Sequence, residues 1–108
     1  MPHIQAVTTA LFEVLAEPNR RRVLDLLREQ ERTVGELVDE LELSQPAVSK
    51  HLRVLREAGL VEARVDAQRR IYRLRAEPLA EVDAWLEPYR QFWRGKLAAL
   101  QRHLESDD

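Results

Sequence analysis

A polar surface with hydrogen-bonding and cationic groups is predicted on the helix that follows Ser44. At about 100° per residue, three apolar residues share one side of this helix, namely Val48, Leu52 and Leu55. The opposite side carries an amide, a hydroxyl, an ammonium and a guanidinium group, which belong to Gln45, Ser49, Lys50 and Arg53. Groups of these types pair with base edges and phosphates in the major groove of DNA. They are the candidate DNA-reading side chains.

His51 lies at the margin between the apolar and the polar side of the same helix. A histidine in this position is either a hydrogen-bonded structural residue or a direct DNA contact, and the sequence leaves both open. A catalytic role is not expected, because no nucleophile and base stand beside it.

The charge of the chain is unevenly distributed. The 108 residues carry a net charge of −2, which by itself does not favour a nucleic-acid partner. Residues 44–75 nevertheless hold eight basic and three acidic side chains, which gives +5, whereas residues 1–43 and 76–108 are acidic at −4 and −3. Because a phosphate backbone docks where the local field is positive, the middle segment is the predicted nucleic-acid-binding part.

Two short helices over residues 33–58 would position the polar side chains. Thr33 and Glu36 form the capping-box pattern T-x-x-E at the start of the first. Ser44 is suited to cap the second, and Gly59 is suited to the left-handed position after its end. A separation of about three residues between two such helices predicts a helix-turn-helix. In the next segment, residues 60–75, positions 60–65 alternate and positions 71–74 are rich in β-forming residues, on either side of a polar turn at 66–70, which predicts a basic β-hairpin, or wing.

Helices are also predicted near both ends of the chain, over residues 7–16 and 78–104. Apolar residues of the last helix recur every three or four positions, close to a heptad seam. Four aromatic residues on it either pack a dimer interface or line a pocket for an apolar ligand: Trp85, Tyr89, Phe92 and Trp93. This stripe is more apolar surface than one small fold is expected to cover, which favours a dimer.

Three consecutive arginines, Arg20, Arg21 and Arg22, begin the second helix of the chain. Cations are unfavourable at a helix N-terminus. These side chains are therefore expected either to be solvated or to contact a DNA phosphate or a neighbouring acid.

The stretch LAEPNRRRVLDLL, followed by TVGELVDELELSQPAVSKHLRVLREAGLV and EARVDAQRRIYRL, resembles the ArsR family of bacterial winged-helix repressors. The likeness covers about Leu11 to Leu74. It implies a mainly α fold with a small β-hairpin wing, as one winged helix-turn-helix domain over residues 1–108. It also implies a homodimer joined through the first and last helices, with recognition helices in adjacent major grooves of a roughly palindromic site.

The resemblance implies roles for individual side chains as well. The side chains at or near the groove would be Ser44, Gln45, Ser49, Lys50, His51 and Arg53. Those of the wing would be Arg64, Gln68, Arg69 and Arg70. Those of the dimer interface would be Leu11, Phe12, Leu15, Val82, Trp85, Leu86, Tyr89, Trp93, Leu97 and Leu100.

Metal-binding members of that family use ligands that this sequence lacks. Val38 and Asp39 stand where one common site has thiolates, and the chain contains no cysteine. A second type of site, in the last helix, keeps its acid as Asp83 but has Trp85 in place of its histidine. Two further candidates near the chain ends are too sparse for a site, namely His103 with Glu105, and His3. We therefore expect neither a metal nor a cofactor.

Together these features predict a sequence-specific DNA-binding transcriptional regulator, a homodimeric repressor that does not respond to metals. Two alternatives remain, a protein-interaction module that uses the aromatic last helix without binding DNA, and a repressor that responds to an apolar small molecule. An enzyme is disfavoured, because the sequence has no P-loop, no G-x-S-x-G and no paired carboxylates. No apolar run approaches the roughly 20 residues that cross a bilayer, so no membrane partner is expected and the expected location is the cytoplasm.

Overall fold

The computed structural model describes residues 2–106, with side chains from residue 9 onward. The α-helices in this range are α1 (Pro2–Leu15), α2 (Pro18–Glu29), α3 (Val34–Leu41), α4 (Gln45–Glu57) and α5 (Ala80–Ser106). The β-strands are β1 (Arg32–Thr33), β2 (Val61–Asp66) and β3 (Arg69–Leu74), and a 3₁₀ turn at Glu77–Leu79 leads into α5. The candidate ligand His3 lies outside the described side chains. No helix in the described range is long and apolar enough to span a membrane.

The predicted capping of the helix-turn-helix is confirmed. The Thr33 hydroxyl accepts a hydrogen bond from the Glu36 amide at 3.2 Å, and the Glu36 carboxylate accepts one from the Thr33 amide at 3.0 Å. The Ser44 hydroxyl accepts from the amide of Ala47 at 3.2 Å, and Gly59 follows α4 with a φ of 78°. These bonds satisfy amides that the first helical turn leaves without an intrahelical partner.

The predicted apolar side of α4 faces the core. Val48, Leu52 and Leu55 are 0%, 1% and 0% exposed. They belong to one cluster with buried residues of α1, α2, α3, β2 and β3. The polar side of α4 therefore points away from the body of the protein.

The wing is larger than predicted, because its sheet has three strands in the order β1-β3-β2. Thr33 in β1 pairs with Ile71 in β3, which in turn pairs with Arg64 in β2. A two-residue strand is too short to show an alternating pattern, so the sequence did not predict β1. The turn is shorter than the predicted 66–70, because Ala67 adopts a left-handed φ of 59° and β3 begins at Arg69.

The arginines at the start of α2 were expected to be solvated or to contact a phosphate or an acid, and Arg21 and Arg22 are exposed whereas Arg20 is half-buried. The Arg20 Nε donates to the carbonyl of Val14 at 2.7 Å, and Arg21 donates to the carbonyl of Leu15 at 2.6 Å. The last carbonyls of a helix lack intrahelical partners and carry partial negative charge. These two arginines thus cap the C-terminus of α1 from the neighbouring helix. Arg22 bonds to Asn19 within α2 at 3.0 Å.

Arg32 is buried, at 8% exposure, although its sequence neighbours do not indicate this. Its guanidinium donates to the carbonyl of Leu26 at 3.2 Å and to the Glu29 carboxylate at 3.0 Å. A buried charge is tolerated when it is paired and hydrogen-bonded in this way. Arg32 therefore joins the end of α2 to the sheet.

A single helix, α5, continues through Pro88. Proline has no amide hydrogen, so it weakens the hydrogen bonding of the preceding turn. In the turn before Pro88, the Arg90 guanidinium bonds to the carbonyl of Asp83 at 2.7 Å and pairs with the carboxylates of Asp83 and Glu87 at 2.8 Å. The Arg90 hydrogen bonds also lower the pKa of Glu87.

The capping box predicts a pH-dependent stability. The Thr33 amide holds the pKa of Glu36 below its ordinary value of 4.5. The charged carboxylate thus stabilises the fold above pH 4.5, and this contribution disappears as the pH falls through the lowered pKa. We expect Glu36→Gln to lower the melting temperature at neutral pH and to approach that of the wild type at acid pH, below the lowered pKa, as measured by circular dichroism.

Asp39→Asn is the matched control on the same helix, since it removes a carboxylate outside the capping box. The same loss for Glu36→Gln at both pH values would contradict the charge-based account.

Candidate nucleic-acid interface

The polar side of α4 is exposed and has no partner among the described residues. Its four predicted DNA-reading side chains are all exposed: Gln45, Ser49, Lys50 and Arg53. In the part of the chain that the structure describes, none of the four makes an intramolecular hydrogen bond or ion pair. A phosphate or base edge that approaches this surface therefore displaces only water from these groups.

Ser44 has a positioning role at the start of α4. Its side chain is exposed, and its oxygen accepts the Ala47 amide hydrogen. A hydroxyl can accept and donate at once, so its own proton remains available to an outside acceptor such as a phosphate oxygen.

His51 faces the interior and not the exposed polar side of α4. Its side chain is 16% exposed, and its Nε2 lies 3.7 Å from a carboxylate oxygen of Glu17 at the start of α2. Its Nδ1 is buried without a hydrogen-bond partner. His51 thus lies against the start of α2 and not among the exposed side chains of α4, and a direct DNA contact by His51 stays a prediction.

Most of the positive charge of the wing is already paired with acids. Arg64 forms an ion pair with Glu31, and Arg69 lies 3.7 Å from a carboxylate oxygen of Asp66. Arg73 pairs with Glu62, its neighbour across the β2–β3 pair. The register of the hairpin would have revealed the last pair, but Glu31 is distant in sequence and gave no signal.

Arg70 and Gln68 are the predicted wing residues without such a partner. Both are exposed, and the described part of the chain offers neither a hydrogen bond nor an ion pair. Arg64 instead shares a sheet face with Ile71, which is only 9% exposed, so its aliphatic stem helps to cover an apolar residue. Arg70 is therefore the wing cation that is most available to a phosphate.

A second exposed surface lies on α5, and we call it the α5 apolar face. Its members are Phe12 of α1 and the α5 residues Trp85, Tyr89, Phe92, Trp93, Leu97, Leu100 and Leu104. Trp85 packs edge-to-face on Phe12 with ring centroids 5.4 Å apart and contacts Tyr89 at 5.0 Å. Leu97 is 65% exposed. A continuous apolar surface of this kind marks an interaction site.

The other predicted interface residues lie deeper in the protein. Leu11 is 3% exposed and belongs to the core of the protomer, so it offers little surface to a partner. Leu15, Val82 and Leu86 are half-buried.

Among the described residues, no group of three or more His, Asp or Glu side chains is placed to hold a metal ion. Asp83, the acid that the second type of family metal site would use, is held in an ion pair by Arg90 at 2.8 Å.

Comparison with known proteins agrees with this geometry. Residues 17–63 match the family described as bacterial regulatory protein, arsR family. The chain is 35% identical over 96 residues to the HTH-type transcriptional regulator Rv2034 of Mycobacterium tuberculosis, which covers 89% of this chain and 87% of that protein. The chain belongs to the ArsR family. As an ArsR-family protein it is a DNA-binding transcriptional regulator and not an enzyme, as the sequence predicted.

Two further ArsR-family comparisons bear on fold and regulation. The transcriptional activator HlyU of Vibrio cholerae is 42% identical over 82 residues, or 76% of this chain and 73% of HlyU. A solved structure of HlyU superposes with a TM-score of 0.69 at 38% identity, over 82% of this chain and 98% of that one, which confirms the winged helix-turn-helix. The arsenic resistance transcriptional regulator ArsR1 of Pseudomonas putida is 43% identical over 88 residues, or 79% of this chain and 69% of ArsR1. Family membership therefore decides neither the direction of regulation nor the inducer.

The ion pairs of this ArsR-family wing predict unequal roles for its arginines. We expect Arg70→Ala to weaken DNA binding and to reduce the slope of log K against log salt by about 1, because a free cation releases a counterion from the phosphate backbone. Fluorescence anisotropy over a salt series measures both quantities.

The double variant Asp66→Ala/Arg69→Ala is the control, because it removes a guanidinium together with its own countercharge. It is expected to leave the salt slope nearly unchanged. Equal effects of the two variants would show that the ion pair in the free protein does not matter for binding.

Proposed function

We propose that this ArsR-family regulator is a homodimeric repressor that reads a palindromic operator with α4 and does not respond to metal ions. The observation that carries the proposal is the exposed side of α4, on which Lys50 and Arg53 have no hydrogen-bond or ion-pair partner in the part of the chain that the structure describes. This surface also disfavours an interaction module that does not bind DNA, because such a module has no use for it.

The two kinds of side chain on α4 have different tasks. Lys50 and Arg53 neutralise phosphates and release counterions, which supplies affinity that falls with salt. Gln45 and Ser49 offer donors and acceptors that discriminate base edges, and Arg53 can also pair with a guanine. Affinity and sequence preference thus come from neighbouring residues of one helix.

The α5 apolar face supports the homodimer. One copy of α4 contacts only a few base pairs, so a second copy is needed for a specific site. A symmetric dimer joins the same surface on both protomers, and its two recognition helices would then enter successive major grooves of a palindrome. Packing of Trp85, Trp93 and Leu97 against the partner would remove them from water.

Repression requires no surface beyond the polar side of α4 and the α5 apolar face. A dimer that covers a promoter excludes RNA polymerase from the same DNA, and it acts where the bacterial chromosome lies, in the cytoplasm. Metal independence is supported by the residues at the two family sites. The ligand positions of the family sites hold Val38, Asp39 and Trp85 in this chain. The carboxylate of Asp83 is already paired with Arg90.

The role of α4 is tested by Arg53→Ala. We expect it to weaken binding to the operator by roughly 1–3 kcal/mol, because a free cation is lost from the DNA-facing surface. The assay is a titration of the DNA upstream of the gene of this protein at fixed salt, repeated with added zinc and with arsenite.

Arg28→Ala is the matched control. Arg28 is exposed on α2 and lies in a surface groove with residues of α1, β3 and the 3₁₀ turn, and none of α4. It is expected to leave the affinity unchanged. An unchanged affinity for Arg53→Ala would refute the proposed role of α4 in operator binding. Release of DNA by zinc or arsenite would refute metal independence.

The dimer is tested on α5 with the double variant Leu97→Gln/Leu100→Gln. Each leucine side chain that is kept from water stabilises an interface by about 1.5–3 kcal/mol, so dissociation is expected to increase at least tenfold. Sedimentation equilibrium should give twice 12.6 kDa for the wild type and a shift towards 12.6 kDa for the variant.

Arg102→Gln, on the opposite side of α5, should remain dimeric. A wild-type protein that sediments as a monomer at the concentrations that bind DNA would contradict the dimer.

A further inference from the structure

Glu17 lies where α4, α2 and the end of α1 meet. One of its carboxylate oxygens lies 3.7 Å from His51 Nε2 of α4 and 3.0 Å from the amide of Arg20, which it caps. The side chain of Glu17 is 33% exposed and that of His51 is 16% exposed, so the contact is mostly shielded from water. The same carboxylate oxygen therefore contacts both α2 and α4.

Arg20 extends this contact to α1. Its amide donates to Glu17, while its guanidinium donates to the carbonyl of Val14 at 2.7 Å and approaches that of Glu13 at 3.5 Å. These carbonyls end the helix that carries Phe12, which packs on Trp85 of α5. A continuous set of contacts thus leads from the DNA-reading helix to the α5 apolar face.

The environment of His51 assigns its tautomer. Nδ1 is buried and has no partner, so a proton there would lack an acceptor. The proton of the neutral ring belongs on Nε2, where it faces the Glu17 carboxylate. The imidazole is thereby directed to α2, and the adjacent Lys50 stays on the exposed side.

We propose that Glu17 is a positioning residue for DNA recognition, which fixes the orientation of α4 through His51 and relates it to α1 through Arg20. The inference rests on the proposed sequence-specific binding. Base contacts depend on the orientation of α4 far more than contacts with a uniform phosphate backbone do. Loss of the link should therefore reduce affinity for the operator more than affinity for unrelated DNA.

The test is the ratio of these two affinities. The operator is a sequence that the wild-type protein selects from a random DNA library, and the competitor is unrelated DNA of the same length. Glu17→Ala and His51→Leu are each expected to lower the ratio by about tenfold, within the usual range for coupled residues. The double variant should be no worse than either single one.

Conservative variants separate positioning from simple support of the fold. Glu17→Gln keeps an oxygen that accepts from Arg20 and faces His51, and His51→Gln keeps a donor towards Glu17. Both are expected to restore most of the ratio. Arg22→Ala, in the same turn of α2 but bonded to Asn19, should not change it. The melting temperature and the active fraction are measured for every variant.

Three results would overturn the inference. The first is a lower melting temperature with an unchanged ratio, which would mean that Glu17 only supports the fold. The second is weaker binding of both DNAs for His51→Leu together with stronger binding for Glu17→Ala, which would make His51 a direct DNA contact. The third is additive losses in the double variant. A wild-type protein that selects no sequence would instead refute the proposed function.

Discussion

The burial of Val48, Leu52 and Leu55 fixes which side of α4 faces the solvent. These residues have almost no exposed surface, and they hold α4 against α2, α3 and the sheet. A rotation of α4 by one residue would move this stripe by about 100° and bring polar side chains towards the core. The burial of unpaired polar groups is costly, so the core specifies the surface that meets DNA.

The positively charged side chains form two groups, those paired within the protein and those that remain free for an outside partner. Arginines at the start of α2 bind carbonyls of α1, most arginines of the wing pair with acids, and the buried Arg32 pairs with the exposed carboxylate of Glu29. The cations of α4 and Arg70 keep their charge for an outside partner. The basic segment at residues 44–75 is therefore less available than its net charge suggests, and a few side chains account for most of its free charge.

Local patterns predicted the parts of the fold that depend on neighbours in sequence. The capping box at Thr33, the Ser44 cap and the apolar stripe of α4 follow from residues within one or two helical turns. Contacts across the chain left no such signal. Strand β1 is two residues long, Glu31 meets Arg64 from another element, and Arg20 and Arg21 bind backbone carbonyls that any residue could supply. For the same reason His51 was ambiguous, because its side chain is directed by Glu17, which no helical periodicity relates to α4.

The C-terminal half of α5 stands apart from the rest of the protomer. Beyond Arg90, every described side chain except Ala98 is exposed. In the proposed dimer the crossing of the two α5 helices sets the distance between the two copies of α4, while the side chains of α4 contact the bases. Substitutions in α5 can thus change the spacing between operator half-sites without altering their sequence. Spacing and sequence preference are then two traits that can evolve separately on different helices.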